Sequence, residues 1–222
     1  KCKEVTNMRK TPGRLLDIGC ATGGFLKVMA SYGWKAYGVE LNEEAVAFAK
    51  REQNLNIVKG DFLEVDFPVG FFDVITLWHV LEHLIDPSAV LKKISSLLKK
   101  NGILIYAIPN INSLEYIVFR RWWSGWDVPR HLYTFSFYSM TLLTKKSNFR
   151  IIKTKCFCGG YDTFLMSLHN FLEVKCMTVR LRNCIMKIVK NFSFRVISLP
   201  FFYLLNLLKK GSTITYYLKK EE

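Results

Sequence analysis

LLDIGCATGGF, residues 15–25, is the stretch of the sequence that decides the fold. An apolar run that carries one acid, Asp17, breaks at Gly19, and a loop of small residues leads into a helical pattern from Phe25. This order predicts a buried strand, a tight turn and a helix, which together bring backbone amides against a nucleotide-like ligand. Because Asp17 would repel a phosphate at the end of the strand, we expect a cationic or hydroxyl-bearing ligand.

The loop resembles motif I of the class I S-adenosylmethionine (SAM) methyltransferases, which is written D-x-G-x-G-x-G. Gly19 and Gly23 stand at two of its glycine positions, and Ala21 stands at the middle one. Dinucleotide-binding enzymes share the outline of this loop, so motifs further along the chain have to separate the two families. The resemblance implies that SAM is the cofactor and that four residues of the loop contact it: Asp17, Gly19, Cys20 and Gly23.

Strand and helix signals alternate along the chain, which predicts a parallel sheet with helices on both faces. After the strand of residues 15–18, further strands are predicted at residues 36–40, 56–59, 72–78, 103–108, 151–157 and 213–218. A helix is predicted to begin at Pro87 and to run to Lys100. The resemblance implies an α/β, Rossmann-like sheet of seven strands, mostly parallel, whose last strand is antiparallel and follows a helical insert.

The length of 222 residues and a hydrophobic content of 50% predict one domain with a sizeable core. We therefore expect a single class I methyltransferase domain over residues 1–222. Within it, we expect a substrate-lid region at about residues 111–140 and a basic, apolar helical insert at about residues 161–210.

Two further acids follow predicted strands, and both have counterparts in the family that the loop resembles. Glu40 stands 21 residues after Gly19 and is suited to accept hydrogen bonds from both ribose hydroxyls. The resemblance implies that Asp61 receives the adenine amine, that Phe62 covers the adenine ring and that Leu41 packs on its other face. Three motifs in the family's order favour SAM over a dinucleotide.

The segment His79-x-x-Glu82-His83 follows the fourth predicted strand, and its three polar side chains share one face if the turn is helical. His131 lies in residues 129–136, a Pro-Arg-His-Leu-Tyr-Thr-Phe-Ser run that resembles a hallmark of bacterial small-molecule methyltransferases related to the ubiquinone-pathway O-methyltransferases. The pattern is also similar to a metal-binding segment of the RNA 3′-end 2′-O-methyltransferases, which carry Glu in place of His79. It implies a divalent metal ion that activates a substrate hydroxyl and is bound by His79, Glu82, His83 and His131.

Other interpretations stay open. Either His79 or His131 acts as a catalytic general base without a metal ion, or the residues are structural and Glu82 and His83 cap the following helix. We expect methyl transfer to a hydroxyl oxygen of a small-molecule acceptor, which is a sugar, a lipid-linked intermediate or a quinol-like phenol. The alternatives are an RNA 2′-O-methyltransferase and a non-catalytic SAM-binding partner subunit. The sequence lacks the nucleophile elbow of hydrolases and the P-loop of kinases.

The positive charge is concentrated in the last third of the chain. Residues 145–222 hold 15 Lys and Arg but 4 Asp and Glu, and so carry +11 of the formal net charge of +14. Residues 192–208 are mostly apolar yet contain Arg195 and Pro200, which is compatible with an interfacial helix on a membrane surface, a helical cap or dimer seam, or a short membrane-spanning helix. Nucleic acid is not the expected partner, because the basic residues alternate with Phe, Leu and Ile. The oligomeric state stays open.

The six cysteines form no C-x-x-C pair, which predicts reduced thiols and a cytoplasmic location, with membrane association through the insert as a further expectation. Cys156 and Cys158 are expected to pack in a strand rather than to bind a metal. The sequence opens on Lys1 rather than Met, and we expect it to be a fragment of a longer chain.

Overall fold

The structure is a computed structural model that describes residues 1–156, 160–175 and 178–221. Its residues group into two compact units. The first, called the sheet unit, comprises Lys1–Ala107, Ser139–Lys153 and Tyr216–Glu222, and the second, called the helical unit, comprises Ile108–Tyr138 and Thr154–Thr215. Most of the predicted lid region and the predicted insert therefore belong to one unit, although more than 15 residues of sequence separate them. The interpretation of the chain as a single domain stays a prediction.

The sheet has seven strands in the order β3-β2-β1-β4-β5-β7-β6. They are β1 (Arg14–Ile18), β2 (Lys35–Glu40), β3 (Asn56–Lys59), β4 (Phe72–Trp78), β5 (Leu98–Pro109), β6 (Phe149–Lys155) and β7 (Thr213–Lys220). The first five strands pair in parallel, and β7 runs antiparallel between β5 and β6. The predicted fold class is confirmed. The strand order reverses between β1 and β4, the place where open α/β sheets bind their ligands.

Several helices begin at a residue whose side chain caps them. They are α1 (Cys2–Met8), α2 (Gly24–Ser31), α3 (Glu43–Gln53), α4 (Pro87–Leu97), α5 (Leu114–Phe119), α6 (Phe137–Lys146), α7 (Gly160–Val174), α8 (Val179–Lys190) and α9 (Phe192–Leu207), with 3₁₀ turns at Leu81–His83, Arg120–Trp122 and Ser124–Trp126. The side chain of Asn42 accepts the N–H of Ala45 at the start of α3. Asp86 accepts the N–H of Ala89 at the start of α4, and Pro87 takes the first helical position as predicted.

The boundary between α4 and β5 differs from the prediction. The helix ends at Leu97 rather than at Lys100, and β5 already begins at Leu98. Leu98 pairs with Phe72 ahead of a register shift in the β4–β5 ladder, and the Lys99 ammonium lies 2.8 Å from a carboxylate oxygen of Asp73. Pairing with the sheet thus outweighs the helix propensity of these residues.

The end of the sixth predicted strand, Phe157, lies outside the described residues, as does Cys158. Cys156 follows β6 directly and is buried, and its sulfur lies 3.9 Å from the side-chain amide nitrogen of Asn110. Among the described residues no single helix is long and apolar enough to cross a membrane. Helices α8 and α9 reach that length and composition only together, and they meet at an angle of 67°.

The core of the sheet unit lies on its central strands. All seven residues of β4 are buried, as are four of the five residues of β1, because a parallel sheet is covered on both faces. The helical unit has a smaller apolar cluster of its own, in which Leu172 of α7 packs with Met186 and Val189 of α8.

Candidate functional site

The loop after β1 requires glycine at two positions. Gly19 has φ +69° and Gly23 has φ +77°, a region of backbone conformation that other residues rarely adopt. A Cβ at Gly19 would lie 2.5 Å from a methyl carbon of Val80, and one at Gly23 would lie 2.4 Å from a methyl carbon of Leu55. The N–H of Gly19 also donates to the carbonyl of Val39 on β2, which holds the loop against the end of that strand.

Ala21 takes the middle position of the loop with φ +48°, so that its methyl group is held in a left-handed conformation. Its N–H donates a 2.8 Å hydrogen bond to Oε2 of Glu40. A hydrogen bond to a charged acceptor is among the stronger ones, and it compensates the cost of this conformation.

Glu40 ends β2 and is held by two backbone amides. Oε2 accepts the N–H of Ala21, and Oε1 accepts the N–H of Asn42 at 2.9 Å. Because each carboxylate oxygen offers about two acceptor sites, each oxygen retains one for a further donor. The side chain is thus oriented and can still accept two hydroxyls. Sequence reasoning missed both amides, since a backbone contact leaves no signature in residue type.

Asp17 lies on β1 and is buried. The hydroxyl of Thr76 donates a 2.6 Å hydrogen bond to Oδ1 of Asp17. Burial nevertheless raises the pKa of this carboxyl to about 7, against the opposing effect of the Thr76 hydrogen bond. A cationic group placed beside Asp17 would favour the ionised form and lower this pKa. Thr76 was not predicted, although it is the lone hydroxyl in the apolar strand β4.

Cys20 is directed toward the neighbouring strand. Its thiol fills the space that a side chain at Gly38 would need, because a Cβ there would lie 2.6 Å from the sulfur. Burial is the main reason why the pKa of the thiol rises to about 12, so the group is neutral at physiological pH. The contact of Cys20 with SAM stays a prediction, and Gly38 is a packing requirement that the sequence did not reveal.

The loop after β3 begins beside Glu40. The N–H of Gly60 donates to the backbone carbonyl of Glu40 at 3.0 Å, which places the end of β3 next to the end of β2. Asp61 is exposed, and its Oδ1 accepts the N–H of Leu63 at 2.8 Å. Leu41 is also exposed. Glu40, Leu41 and Asp61 therefore occupy adjacent strand ends at one edge of the sheet unit, where a single ligand can reach them.

Phe62 points away from this edge into the protein. The ring is buried, and the ammonium of Lys93 lies 5.3 Å from its centroid. The same ammonium donates to the carbonyls of Leu63 and Val65, at 2.9 and 2.7 Å. The expectation that Phe62 covers an adenine ring stays a prediction. Little of the surface of the Phe62 ring is exposed for such a contact.

His79 follows β4 directly and has φ +60°, a strained conformation that is often associated with functional sites. Its Nδ1 lies 3.2 Å from Oε1 of Glu82, which is fully buried. In the part of the chain that the structure describes, Oε2 of Glu82 has no hydrogen-bond partner. His83 is exposed. The 3₁₀ turn Leu81–His83 does not include His79. The helical turn therefore holds two of the three polar residues of the segment, Glu82 and His83.

The structural alternative for Glu82 and His83 is wrong in one respect. Helix α4 is capped by Asp86, and neither Glu82 nor His83 provides the capping side chain. His131 belongs to the helical unit, where its Nδ1 lies 2.8 Å from the carbonyl of Gly125 and the side chain is 10% exposed. Its combination with His79, Glu82 and His83 as ligands of one metal ion stays a prediction.

These features suit an adenosyl sulfonium compound. Gly19 and Gly23 allow the left-handed turns of the loop that lies against the end of β2, Glu40 can accept two hydroxyls, and the buried carboxyl of Asp17 favours a positive charge. A phosphate would meet repulsion from Asp17 and Glu40 instead. The donor set therefore fits SAM better than a dinucleotide.

The comparisons with known proteins agree. A family model described as a methyltransferase domain matches residues 2–154. The chain is 29% identical over 112 residues to a ubiquinone biosynthesis O-methyltransferase of Thiobacillus denitrificans. The aligned region covers 47% of this chain and 48% of that protein. It is 31% identical over 111 residues to a protein of the same name from Pseudomonas aeruginosa, at 47% of each chain. The matches thus span about half the length of these curated relatives.

Among solved structures, a SAM-dependent methyltransferase from Archaeoglobus fulgidus is similar over 99% of this chain and 95% of its own, with a TM-score of 0.62 and 21% identity. At this identity the likeness supports the fold, and it extends over both compact units of the chain.

Proposed function

The chain belongs to the methyltransferase-domain family, and on that premise we propose that it transfers a methyl group from SAM to a hydroxyl oxygen of a small-molecule acceptor. The observation that carries the proposal is the carboxylate of Glu40, which two backbone amides orient beside the glycine loop. The relatives are named as O-methyltransferases of ubiquinone biosynthesis. Their names support a quinol-like phenol ahead of a sugar or a lipid-linked acceptor, and they do not favour RNA or a non-catalytic role.

When bound, SAM supplies a methyl group that is already activated by a sulfonium, so the chain has to position the acceptor and remove a proton. Glu40 binds the ribose hydroxyls through its remaining acceptor sites. Asp17 offers a negative charge in a buried setting and so favours a cationic ligand at the end of β1.

His79 is the residue to which we assign the general base. With Nδ1–H donating to Glu82, the ring is held in the tautomer whose Nε2 carries a lone pair. Nε2 then takes the proton of the acceptor hydroxyl as the oxygen forms its bond to the methyl carbon, and the bond from that carbon to sulfur breaks. His79 is exposed, whereas His131 is largely buried with Nδ1 hydrogen-bonded to a backbone carbonyl.

A divalent metal ion is a second candidate for activating the hydroxyl. The observation that favours it is the buried Oε2 of Glu82, which has no hydrogen-bond partner among the residues that the structure describes, since such an atom is costly without a partner. Metal analysis of the purified protein and of Glu82→Gln tests this role: an ion retained by the first and lost from the second supports it.

Methyl transfer from labelled SAM to a catechol tests the proposal. We expect Glu40→Ala to weaken SAM binding by about 1–3 kcal/mol, because the ribose hydroxyls lose their acceptor. We expect His79→Gln to lower kcat while the affinity for SAM is kept. Glu44→Ala, an exposed acid in the first turn of α3, is the matched control and should change neither. Unchanged SAM affinity in Glu40→Ala, measured by calorimetry, would refute the site.

A further inference from the structure

Helix α9 presents an apolar face to its surroundings. Phe192, Val196, Pro200, Tyr203 and Leu207 follow one another at intervals of four, four, three and four residues, which places them on one side of a helix. All five are exposed. A helix usually carries polar residues on the side that faces water, whereas all five of these residues are apolar or aromatic.

The apolar surface is large. The partly buried stripe of α9, which includes Phe194, Ser198 and Phe202, lies on the opposite side of the helix. Nine large apolar side chains of α9 and the residue after it are between 45% and 79% exposed: Phe192, Val196, Ile197, Leu199, Phe201, Tyr203, Leu204, Leu207 and Leu208. Isolated exposed apolar residues are ordinary, but a contiguous set on one helix marks a surface that is covered by something other than water.

Basic residues border this surface at both ends. Lys187 and Lys190 stand in the last turn of α8, and Lys209 and Lys210 follow α9. From residue 174 to residue 220 the chain contains no Asp or Glu. Among the described residues, no carboxylate forms an ion pair with any of these four lysines. The exposed apolar face therefore has a border of uncompensated positive charge.

We propose that the outer face of α9, with the four lysines at its ends, lies in the headgroup region of an anionic lipid bilayer. Apolar side chains that enter the boundary of the acyl chains, together with lysines that reach anionic headgroups, are the two sources of affinity of interfacial helices. A second copy of this chain is a poorer occupant, because a symmetric interface would bring the same lysines against one another.

The helix lies on the bilayer rather than across it. Its 16 residues span about 24 Å, which is shorter than the hydrocarbon core of about 30 Å. The charge of Arg195 within the helix also opposes a crossing. An orientation parallel to the surface buries the outer face and leaves both ends, with their lysines, at the level of the headgroups.

Co-sedimentation of the full chain with lipid vesicles tests the proposal. We expect binding to vesicles of phosphatidylcholine and phosphatidylglycerol to be at least tenfold tighter than to phosphatidylcholine alone, and to weaken with salt. The triple variant Phe192→Gln, Tyr203→Gln and Leu207→Gln should lose binding to both kinds of vesicle. The triple variant Lys187→Gln, Lys190→Gln and Lys210→Gln should lose on the order of 100-fold on anionic vesicles, at about fivefold for each lysine.

A matched charge control is available in the sheet unit. Lys27→Gln, Lys50→Gln and Lys92→Gln remove three exposed lysines and should leave vesicle binding within a factor of about two. Equal losses in the two lysine variants would overturn the proposal, because the attraction would then be spread over the whole chain. Failure of the wild type to sediment with anionic vesicles would overturn it as well.

Sedimentation equilibrium tests whether a second copy of the chain, rather than a bilayer, covers the outer face of α9. A wild-type dimer that the apolar variant converts to a monomer would show that the face is a protein interface and would overturn the lipid assignment.

Circular dichroism and thermal unfolding establish that the variants keep their fold. The lysine variant changes exposed side chains alone, so it tests the charge requirement even if the apolar variant does not fold. Methyl transfer is not a readout, and the result is independent of the proposed function.

Discussion

The central strand of the sheet unit and the last helix of the helical unit are both strongly apolar, yet they differ in burial. Every residue of β4 is buried, whereas no residue of α9 is. An apolar strand in a parallel sheet is covered on both faces by its neighbours and by helices. Helix α9 packs one side against α7, where the ring of Phe202 contacts that of Tyr161, but no element of its own unit that the structure describes covers its outer face. Apolar composition alone therefore does not tell where a segment lies.

The two units also differ in how they use a buried acid. Asp17 in the sheet unit and Glu115 in the helical unit both have a pKa that burial raises to about 7. Asp17 is the last but one residue of β1, beside the glycine loop. Glu115 lies in α5, where its Oε1 accepts hydrogen bonds from the hydroxyls of Ser212 and Thr163. We infer that the first acid is held for a ligand and that the second is a cost of packing, and substitutions can separate the two roles.

The largest effect is expected for Asp17→Asn. The folded-state pKa of Asp17 lies above its ordinary value of 3.8, so the carboxyl contributes stability that is complete below pH 4 and is lost as the pH rises through about 7. The neutral amide avoids this loss. The free energy of unfolding of the variant should therefore exceed that of the wild type by up to about 4 kcal/mol at pH 8, and by little at pH 4. Urea unfolding at the two pH values measures it.

The same variant should bind SAM worse. A carboxylate that interacts with a charged group contributes about 1.5–3 kcal/mol, so the affinity should fall by roughly tenfold to a hundredfold. Calorimetry at pH 8 measures the loss. If the variant is stabilised and still binds SAM at full affinity, Asp17 does not interact with the ligand, and its role is the same as that proposed for Glu115.

A smaller effect on stability alone is expected for Glu115→Gln. The pKa of Glu115 is raised from 4.5, so its contribution to stability is present below that value and is lost as the pH rises through about 7. The variant should exceed the wild type by up to about 3 kcal/mol at pH 8, and the amide keeps acceptors for Ser212 and Thr163.

The affinity for SAM serves as the control for Glu115→Gln, and it should stay within a factor of two of the wild type. If the variant loses SAM as Asp17→Asn does, the contrast between the two acids is wrong. If the difference in the free energy of unfolding between the variant and the wild type stays the same from pH 5 to pH 8, burial does not raise the pKa of Glu115 as the structure implies.

The sequence predicts the sheet unit well because its signals are local. The predicted bounds of β3 and β4 coincide with the strands to the residue, and the positions of Gly19 and Gly23 require glycine in the structure. What the sequence does not reveal depends on distant partners: the hydroxyl of Thr76 beside Asp17 and the space beside Gly38. The start of β5 was missed for the same reason, since it depends on pairing with Phe72.

The helical unit shows the limit of such reasoning more plainly. Its segments come from residues 108–138 and 154–215, and no local pattern indicates that the lid region and the insert form one compact unit. Charge and hydropathy identify the insert as unusual, but which side of α9 is exposed follows only from how α7, α8 and α9 pack. Periodicity gives the faces of a helix, and packing decides which face is free.

The smallest effect concerns Ala21, where the sheet unit departs from the glycine motif. A left-handed conformation costs a residue with a side chain about 1 kcal/mol, whereas glycine adopts it freely but has more entropy to lose on folding. Ala21→Gly should therefore raise the free energy of unfolding slightly, by about 0.5 kcal/mol. Ala47→Gly is the matched control, because Ala47 is exposed in the middle of α3 and the same change should there lower stability by about 1 kcal/mol. Chemical denaturation should show that the free energy of unfolding changes in opposite directions in the two variants. Changes in the same direction would mean that the loop is not held in the conformation that presents the Ala21 amide to Glu40.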